Sequence, residues 1–308
     1  MLKKTINFFL SLRDLSNRLS KQTQVNSHLL AKLLICKIKE LDGVYSLKDV
    51  EFKIYSQWGE DGIIQYLLSK IPIQNEVFIE IGVENYTQAN TRFLLINNNW
   101  KGLVIDCSAK NIDYIKKDDI YWQHDLAALC HFITKENIND IIDSTGIKGD
   151  IGLLSIDIDG NDYWVWEAIH TVNPRIVICE YNSVFGNEQA IVVPYDTNFC
   201  RTVAHYSGLY FGCSLPALCK LAETKGYKFI GSNSSGVNAF FVREDLYQPF
   251  ETNDRIQGYI ETKIRQSRDK QGQLTFVSAK DSLQIIADLQ AMDLNLGVIR
   301  PIKEIMEI

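Results

Sequence analysis

The chain has 308 residues, 46% hydrophobic and 23% charged, with 18 Gly and only 6 Pro. This excludes collagen-like, low-complexity and wholly disordered chains and leaves room for one large domain with extensions or for two domains. The net charge of −6 is unevenly spread: residues 1–40 hold eight Lys/Arg against Asp14 and Glu40, a head of +6 on a body of −12. An acidic body repels phosphate, so nucleic acid is not an expected partner.

Leu10, Leu12, Leu15 and Leu19, then Leu29, Leu30, Leu33 and Leu34, recur at helical spacing and predict a helical N-terminal extension over 1–48. Its apolar runs are short and broken by Lys32 and Lys37, so no membrane-spanning helix is expected. No small-residue cleavage site follows MLKKTINFFLSLRD, so no signal peptide is expected either. A main domain is expected over 49–245, beginning with a helix at 61–70 and strands at 77–82 (VFIEIG) and 102–108 (GLVIDCS). DIYWQHD (119–125) reads as a third strand, IGLLSIDIDG (151–160) as a fourth and RIVICEYN (175–182) as a fifth. Helical patterns at 87–98, 109–117, 126–143 and 161–170 lie between them, which implies parallel strands covered on both faces. A helix over 214–227 closes near Gly226, and YKFIGS with NAFFVRED then forms a hairpin that makes its strands antiparallel. The expected fold is a doubly wound, mostly parallel, seven-stranded α/β sheet. Residues 246–308 read as a C-terminal tail, with a helix at 282–292 and an exposed stretch at 258–272.

Seven cysteines (Cys36, Cys107, Cys130, Cys179, Cys200, Cys213 and Cys219) show no CxxC pair and an odd count. They read as small buried hydrophobes in a reducing, cytoplasmic compartment.

Open parallel sheets bind ligands outside the carboxyl ends of their strands. Those positions here are Glu80, Gly82, Asn85, Asp106, Asp125, Asp157, Asp159, Glu180 and Asn182. Acids are costly to bury without partners, so the series points to a ligand with hydroxyls, amines or positive charge. Gly82 lets the backbone pass close to that ligand. Asp106 either accepts hydrogen bonds from a ribose diol or caps a helix, with Ser108 as its competitor. There is no GxGxxG and no GxxxxGK[ST]. The long connection after the fifth strand is an expected acceptor site, with Arg201, Tyr195 and His205 as its candidates. Proton acceptance falls to Asp157, Glu180 or His205.

The segments SQWGEDGII (56–64), FIEIGVENYTQANT (78–91), NWKGLVIDCS (99–108), LLSIDIDGNDYWVW (153–166) and IVICEYN (177–182) together resemble the class I S-adenosylmethionine-dependent methyltransferases. More narrowly, they resemble the FkbM-type enzymes found with polysaccharide biosynthesis. The resemblance implies S-adenosylmethionine as cofactor. Glu80 and Gly82 would hold its methionine part, Asp106 its ribose, and Asp125 with His124 its adenine, while Asp157 would face the sulfonium and the acceptor. Asn85 and Tyr86 stand where further glycines are usual, which adds Asn85 to the expected cofactor contacts, and Ser155 replaces the usual lysine. By analogy with catechol O-methyltransferase, Asp157, Asp159, Glu180 and Asn182 would hold Mg²⁺ or Mn²⁺. The rival reading makes Asp159–Asp162 a turn and helix cap. The implied function is methylation of a hydroxyl on a small-molecule or glycan-linked acceptor; the alternative is a non-catalytic nucleotide- or sugar-binding module. The basic head would pack on the acidic body or on another subunit in a homo-oligomer, or rest on an anionic membrane surface.

Overall fold

The computed structural model describes residues 2–41, 43–251 and 258–308. Lys3, Lys4 and Leu10 fall in a stretch whose side chains lie outside the described ones.

The central sheet is the expected one. Strands β1 (Val77–Ile81), β2 (Lys101–Asp106), β3 (Leu126–Cys130), β4 (Gly149–Ile156) and β5 (Val172–Glu180) are joined by parallel pairings. Two strands, β7 (Tyr227–Ser232) and β8 (Asn238–Arg243), complete it in the order β3-β2-β1-β4-β5-β8-β7, with β8 antiparallel to both neighbours. Side chains alternate across each strand. Phe78, Val104, Leu153 and Ile176 face one core, shared with α2 (Glu60–Lys70) and α3 (Ala109–Lys117). Ile79, Leu103, Leu154 and Val177 face the other, shared with α5 (Ile138–Ser144), α6 (Asp162–Ala168) and α8 (Leu215–Thr224). The N-terminal extension is one helix, α1 (Leu2–Lys39), laid on the first of these layers through Ala31, Leu34, Ile35 and Ile38.

Three expectations are corrected. The third strand is LAALC, not DIYWQHD, whose middle forms a helical turn, α4 (Ile120–Gln123). Leu, Ala and Cys suit either state, and pairing with β2 decides the matter for a five-residue edge strand. The helix expected at 87–98 is reduced to a π-helical segment, Leu94–Asn98, preceded by the irregular stretch described below. The tail is packed. Its helices α9 (Ala279–Ile286) and α10 (Ile302–Met306) and a three-stranded sheet of β10 (Val298–Pro301), β9 (Gln290–Asp293) and β6 (Ile191–Val192) enclose a third core around Phe185, Leu209, Ile286 and Ile302. The expected 282–292 helix therefore stops at Ile286, and its last residues form a strand.

The stretch 258–272 is mostly exposed, as expected, but its first residues form a strap over the ends of β5 and β8. Tyr181 donates to the Ile260 carbonyl at 2.6 Å, Tyr259 to the Ser183 carbonyl at 2.9 Å, and the Thr262 amide to Ser183 Oγ at 2.9 Å. The strap passes over the hairpin turn only because Gly236, at φ +70°, has no Cβ: one would stand 2.5 Å from the Ile260 carbonyl oxygen. The cysteines divide. Cys179 and Cys213 are buried as expected, but Cys36, Cys107, Cys130 and Cys200 are exposed. No described helix is long and apolar enough to cross a membrane.

Trp166, only 1% exposed, packs at 4.9 Å from Phe241 and 6.0 Å from Tyr227 by ring centroid. Trp166→Ala is expected to lower stability by about 3–5 kcal/mol, read as an earlier urea midpoint at unchanged slope.

Candidate active site

The carboxyl ends of β1, β2, β4 and β5 open into one cleft of about 660 Å³, within the range of small-molecule sites. The 262–266 strap and the hairpin turn at 236–238 wall one side of it, and Arg201, Phe199 and Phe211 another.

At the β2 end, Asp106 is 8% exposed and lines the cleft. Its Oδ1 accepts from the Ser108 amide at 2.8 Å and from Asn111 Nδ2 at 3.1 Å, while Ser108 Oγ caps α3. Its Oδ2 takes no hydrogen bond from the described residues. The cap is therefore Ser108 and not Asp106, whose Oδ1 only steadies the helix start from beside it.

At the β1 end, Glu80 is buried with both oxygens committed. Oε1 accepts from the Asn90 amide at 2.8 Å, and Oε2 accepts from the Thr91 amide at 3.0 Å and from the Thr91 hydroxyl. Burial raises its pKa to about 7 against those hydrogen bonds. Glu80 therefore positions Asn90 and Thr91, of which Asn90 lines the cleft. Gly82 lines the cleft at φ +81°, and the atom it must clear belongs to the protein: a Cβ would stand 1.6 Å from the Asp157 carbonyl oxygen. Its lack of a side chain lets β1 and β4 converge at the edge of the cleft. Tyr86 is fully buried, bonded to Thr91 Oγ1 at 2.9 Å and lying under the Arg92 guanidinium. Asn85 turns away from the cleft to accept from Thr87.

The ends of β4 and β5 carry the densest acid cluster. Asp157, Asp162 and Glu180 place carboxyl oxygens within 4.8 Å of one another. Asp162 is satisfied by the Ile158 and Gly160 amides, each at 2.8 Å, so it holds the turn before α6 together as the capping reading expects. Its pKa still rises to about 6, through burial. Asp157 takes no hydrogen bond from the described residues, and Glu180 Oε2 is buried without a partner. Burial pushes both well above the usual carboxylate range; Asp162, Asp159 and Glu80 raise Asp157 further, and Asp157, Asp159 and Asp162 raise Glu180. Asn238, paired in register with Glu180 across β5 and β8, also keeps a buried, unpartnered Oδ1 in the same cleft. Its Nδ2 donates to Glu60 at 2.9 Å. Glu60 ties α2 to the hairpin and does not reach over the cleft; Gln57 and Trp58 do.

The structure does not gather the metal set Asp157, Asp159, Glu180 and Asn182. Asp159, at φ +56°, turns to the rim and pairs with Arg201. Asn182 Nδ2 donates to the Leu209 and Phe211 carbonyls, at 2.9 and 3.0 Å, and its Oδ1 accepts from the Val184 amide. Two other candidates also leave the site. Asp125 precedes β3, at the far end of the sheet from the cleft, where it is 70% exposed and pairs with Lys101 at 3.4 Å. Misplacing the third strand by one turn put it at the wrong pole. His205 does not line the cleft; it bonds Ser207 Oγ at 2.8 Å and stacks on Tyr206. Tyr195 likewise bonds Glu136 outside the cleft, and of the three acceptor-site candidates only Arg201 lines it. Sequence reasoning missed His131, Phe132 and Ile133, which follow β3 and line the cleft beside Asp106. The signal was the apolar run LAALC ending at a polar residue.

A seven-stranded sheet in this order, flanked by helices and preceded by an N-terminal helix, is the class I methyltransferase Rossmann-like fold. No family model and no curated protein matches the chain. Among solved structures it is similar to an S-adenosylmethionine-dependent methyltransferase from Clostridium acetobutylicum, at 10% identity over 62% of this chain and 92% of that one, TM-score 0.39. It is similar to an O-methyltransferase from Bacillus cereus in complex with SAH, at 11% identity over 54% and 72%, TM-score 0.32. A third is the N-terminal domain of EvdMO1 with SAH bound, at 9% identity over 65% and 97%, TM-score 0.39. At such identities, what the chain does rests on the chemistry of its own site.

The buried acids set a pH dependence. Glu80 and Asp162 bind protons more tightly folded than unfolded, so the native state holds more protons between about pH 4 and 7 and stability falls as pH rises through that window. Urea unfolding at pH 5 is expected to give a higher free energy than at pH 8, with Glu80 alone contributing on the order of 3 kcal/mol. A flat profile would contradict the buried, proton-holding state of these groups.

Proposed function

We propose that the protein is an S-adenosylmethionine-dependent methyltransferase acting on a hydroxyl of a small-molecule or glycan-linked acceptor, the acceptor class being the one the FkbM-type resemblance suggests. The observation that carries this reading is the pair at adjacent strand ends in the same cleft as Asp106: half-buried Asp157, which takes no hydrogen bond from the described residues, and Glu180, whose Oε2 is buried without a partner. Buried acceptors without donors await a donor, and an acceptor hydroxyl supplies one.

The cofactor, when bound, supplies an electrophilic methyl group on a positively charged sulfur. Asp106 Oδ2 suits a ribose diol. Ile105, Phe132 and Ile133 give apolar cover to a flat base, and the acidic walls suit a sulfonium charge. Glu180 Oε2 or Asn238 Oδ1 accepts the single hydrogen of the acceptor hydroxyl, and that proton passes to Asp157 or Glu180 as the methyl group is transferred. A carboxyl pair with raised affinity for protons is a better matched base near neutral pH than an ordinary carboxylate. Holding both reactants in one enclosed cleft removes much of the entropic barrier. Two of the four donors expected for a divalent ion, Asp159 and Asn182, are committed elsewhere, and the proton-accepting role is assigned to the remaining carboxyl pair. The packed third core and the strap close the acceptor side.

A non-catalytic binding module is the second reading. It is favoured by Glu80, whose carboxylate is spent on the Asn90–Thr91 segment and is not free for a ligand.

Titration calorimetry with S-adenosylmethionine is expected to show binding. Asp106→Asn keeps an acceptor for the Ser108 amide but turns an amide group to the cleft, and is expected to weaken binding roughly 10–100-fold. A folded wild type that does not bind overturns the proposal. Against a panel of polyhydroxylated acceptors, Glu180→Gln and Asp157→Asn are expected to lower turnover about 10²–10⁴-fold with cofactor affinity kept. Binding without turnover on any acceptor favours the second reading. Activity is expected to survive dialysis against EDTA; a requirement for added Mg²⁺ or Mn²⁺ would move the proton-accepting role from the carboxyl pair to the ion.

A further inference from the structure

Helix α1 has two apolar faces, and among the described residues only one has a partner. Ala31, Leu34, Ile35 and Ile38 pack on the body. On the opposite side Leu12, Leu15, Leu19, Leu29 and Leu33 stand 44%, 53%, 60%, 56% and 69% exposed. With Gln22, Asn26 and Cys36 these positions alternate in steps of three and four from 12 to 36 without a break. That is the a/d spacing of a two-stranded coiled coil, sustained over about 36 Å of helix. Leu12, Leu19, Asn26 and Leu33 take the a positions; Leu15, Gln22, Leu29 and Cys36 take d.

We propose that α1 pairs in parallel with the α1 of a second copy of this chain. In a parallel pair, a g residue of one strand lies beside the e residue five positions further along the other. Val25 and Leu30 occupy those two places and are 52% and 56% exposed. One register therefore covers every large apolar side chain exposed on the described part of α1. The area withdrawn is on the order of 800 Å² per chain, which is what a stable interface of standard size requires. Gln22, whose Nε2 donates to Asn26 Oδ1 at 3.0 Å, places a polar layer mid-seam. Such a layer costs stability and fixes register in a coiled coil, whereas it interrupts the apolar face that a membrane-surface helix would bury. The seam lies opposite the face that packs on the body, so a two-fold pair carries its bodies outward.

Charge gives the proposal a sign. Arg18, Lys32 and Lys37 flank the seam with no acidic residue among the e and g positions, so two copies repel. Salt screens that repulsion and tightens the dimer, whereas binding to an anionic membrane or an acidic partner weakens with salt.

Sedimentation velocity of the full chain at tens of micromolar is expected to give twice the 35.2 kDa monomer mass. The dimer fraction should rise as NaCl goes from about 0.1 M to about 0.5 M. Leu19→Asp with Leu33→Asp, both at exposed positions, is expected to weaken self-association at least 100-fold while leaving the urea midpoint of the body unchanged. With Cys107, Cys130 and Cys200 changed to Ser, a short bismaleimide should join Cys36 to Cys36, each thiol adding across one maleimide double bond. A monomer at every salt concentration, a dimer that survives the double substitution, or cross-linking of Leu12→Cys to Cys36 (the antiparallel arrangement) would each overturn the proposal. So would a chain that stays monomeric and binds phosphatidylserine vesicles more weakly as salt rises.

Discussion

Placing carboxyl groups where water cannot reach them costs several kcal/mol each unless the protein supplies hydrogen bonds, and this chain does so repeatedly at one pole of its sheet. Most of these acids are provided for. One oxygen of Asp61 carries three amide N–H groups of the Ile54–Ser56 segment, Glu60 holds two asparagine side chains, Glu80 holds the Asn90–Thr91 segment, and Asp162 holds the turn before α6. Each satisfied acid fastens a loop at the cleft or behind it. Asp157 and Glu180 are the exception at the cleft itself, and the contrast with their satisfied neighbours marks them as the reactive end.

The same contrast explains the shape of the cleft. Asp162 draws the backbone of 158–160 into a tight turn, which sends Asp159 outward to Arg201 and leaves Asp157 pointing inward. Gly82 lets the loop after β1 meet that turn at the Asp157 carbonyl. Arg201 is in turn held by the Gly208 carbonyl and lies 3.6 Å from the centroid of the Phe211 ring. Its positive charge thus sits at the mouth of an acidic site, where it eases the burial of Asp157 and Glu180 without neutralising either by direct contact. The third core, built from β6 and the C-terminal elements, supports this wall from behind.

Most of the sheet was legible because parallel central strands are continuous apolar runs ending at polar residues: VFIEI, GLVID, IGLLSI and RIVICE can be little else. LAALC was not legible, since Leu, Ala and Cys serve helix and strand alike and only the free edge of β2 selects the strand. That single slip moved Asp125 into the site and His131 out of it. The acids at strand ends could be named as a group but not sorted. Whether such a side chain caps a turn, holds a loop or faces a ligand depends on which backbone groups lie within about 3 Å of it, and local spacing does not name them: the Thr91 amide for Glu80, the Leu209 and Phe211 carbonyls for the neighbouring Asn182.

What the sequence determined by itself was local and periodic. It includes the alternation of strand and helix, the hairpin at the end, the basic amphipathic helix at the start, and the acid at the close of nearly every strand. Those follow from side-chain spacing, which fixes which face of an element must be buried. The tertiary structure decided which acids remain unsatisfied, that the C-terminal residues strap the cleft, and that one apolar face of the first helix is left without cover. Those depend on long-range packing, where a hydrogen bond or a buried surface is made by residues a hundred positions apart and no local pattern records the pairing.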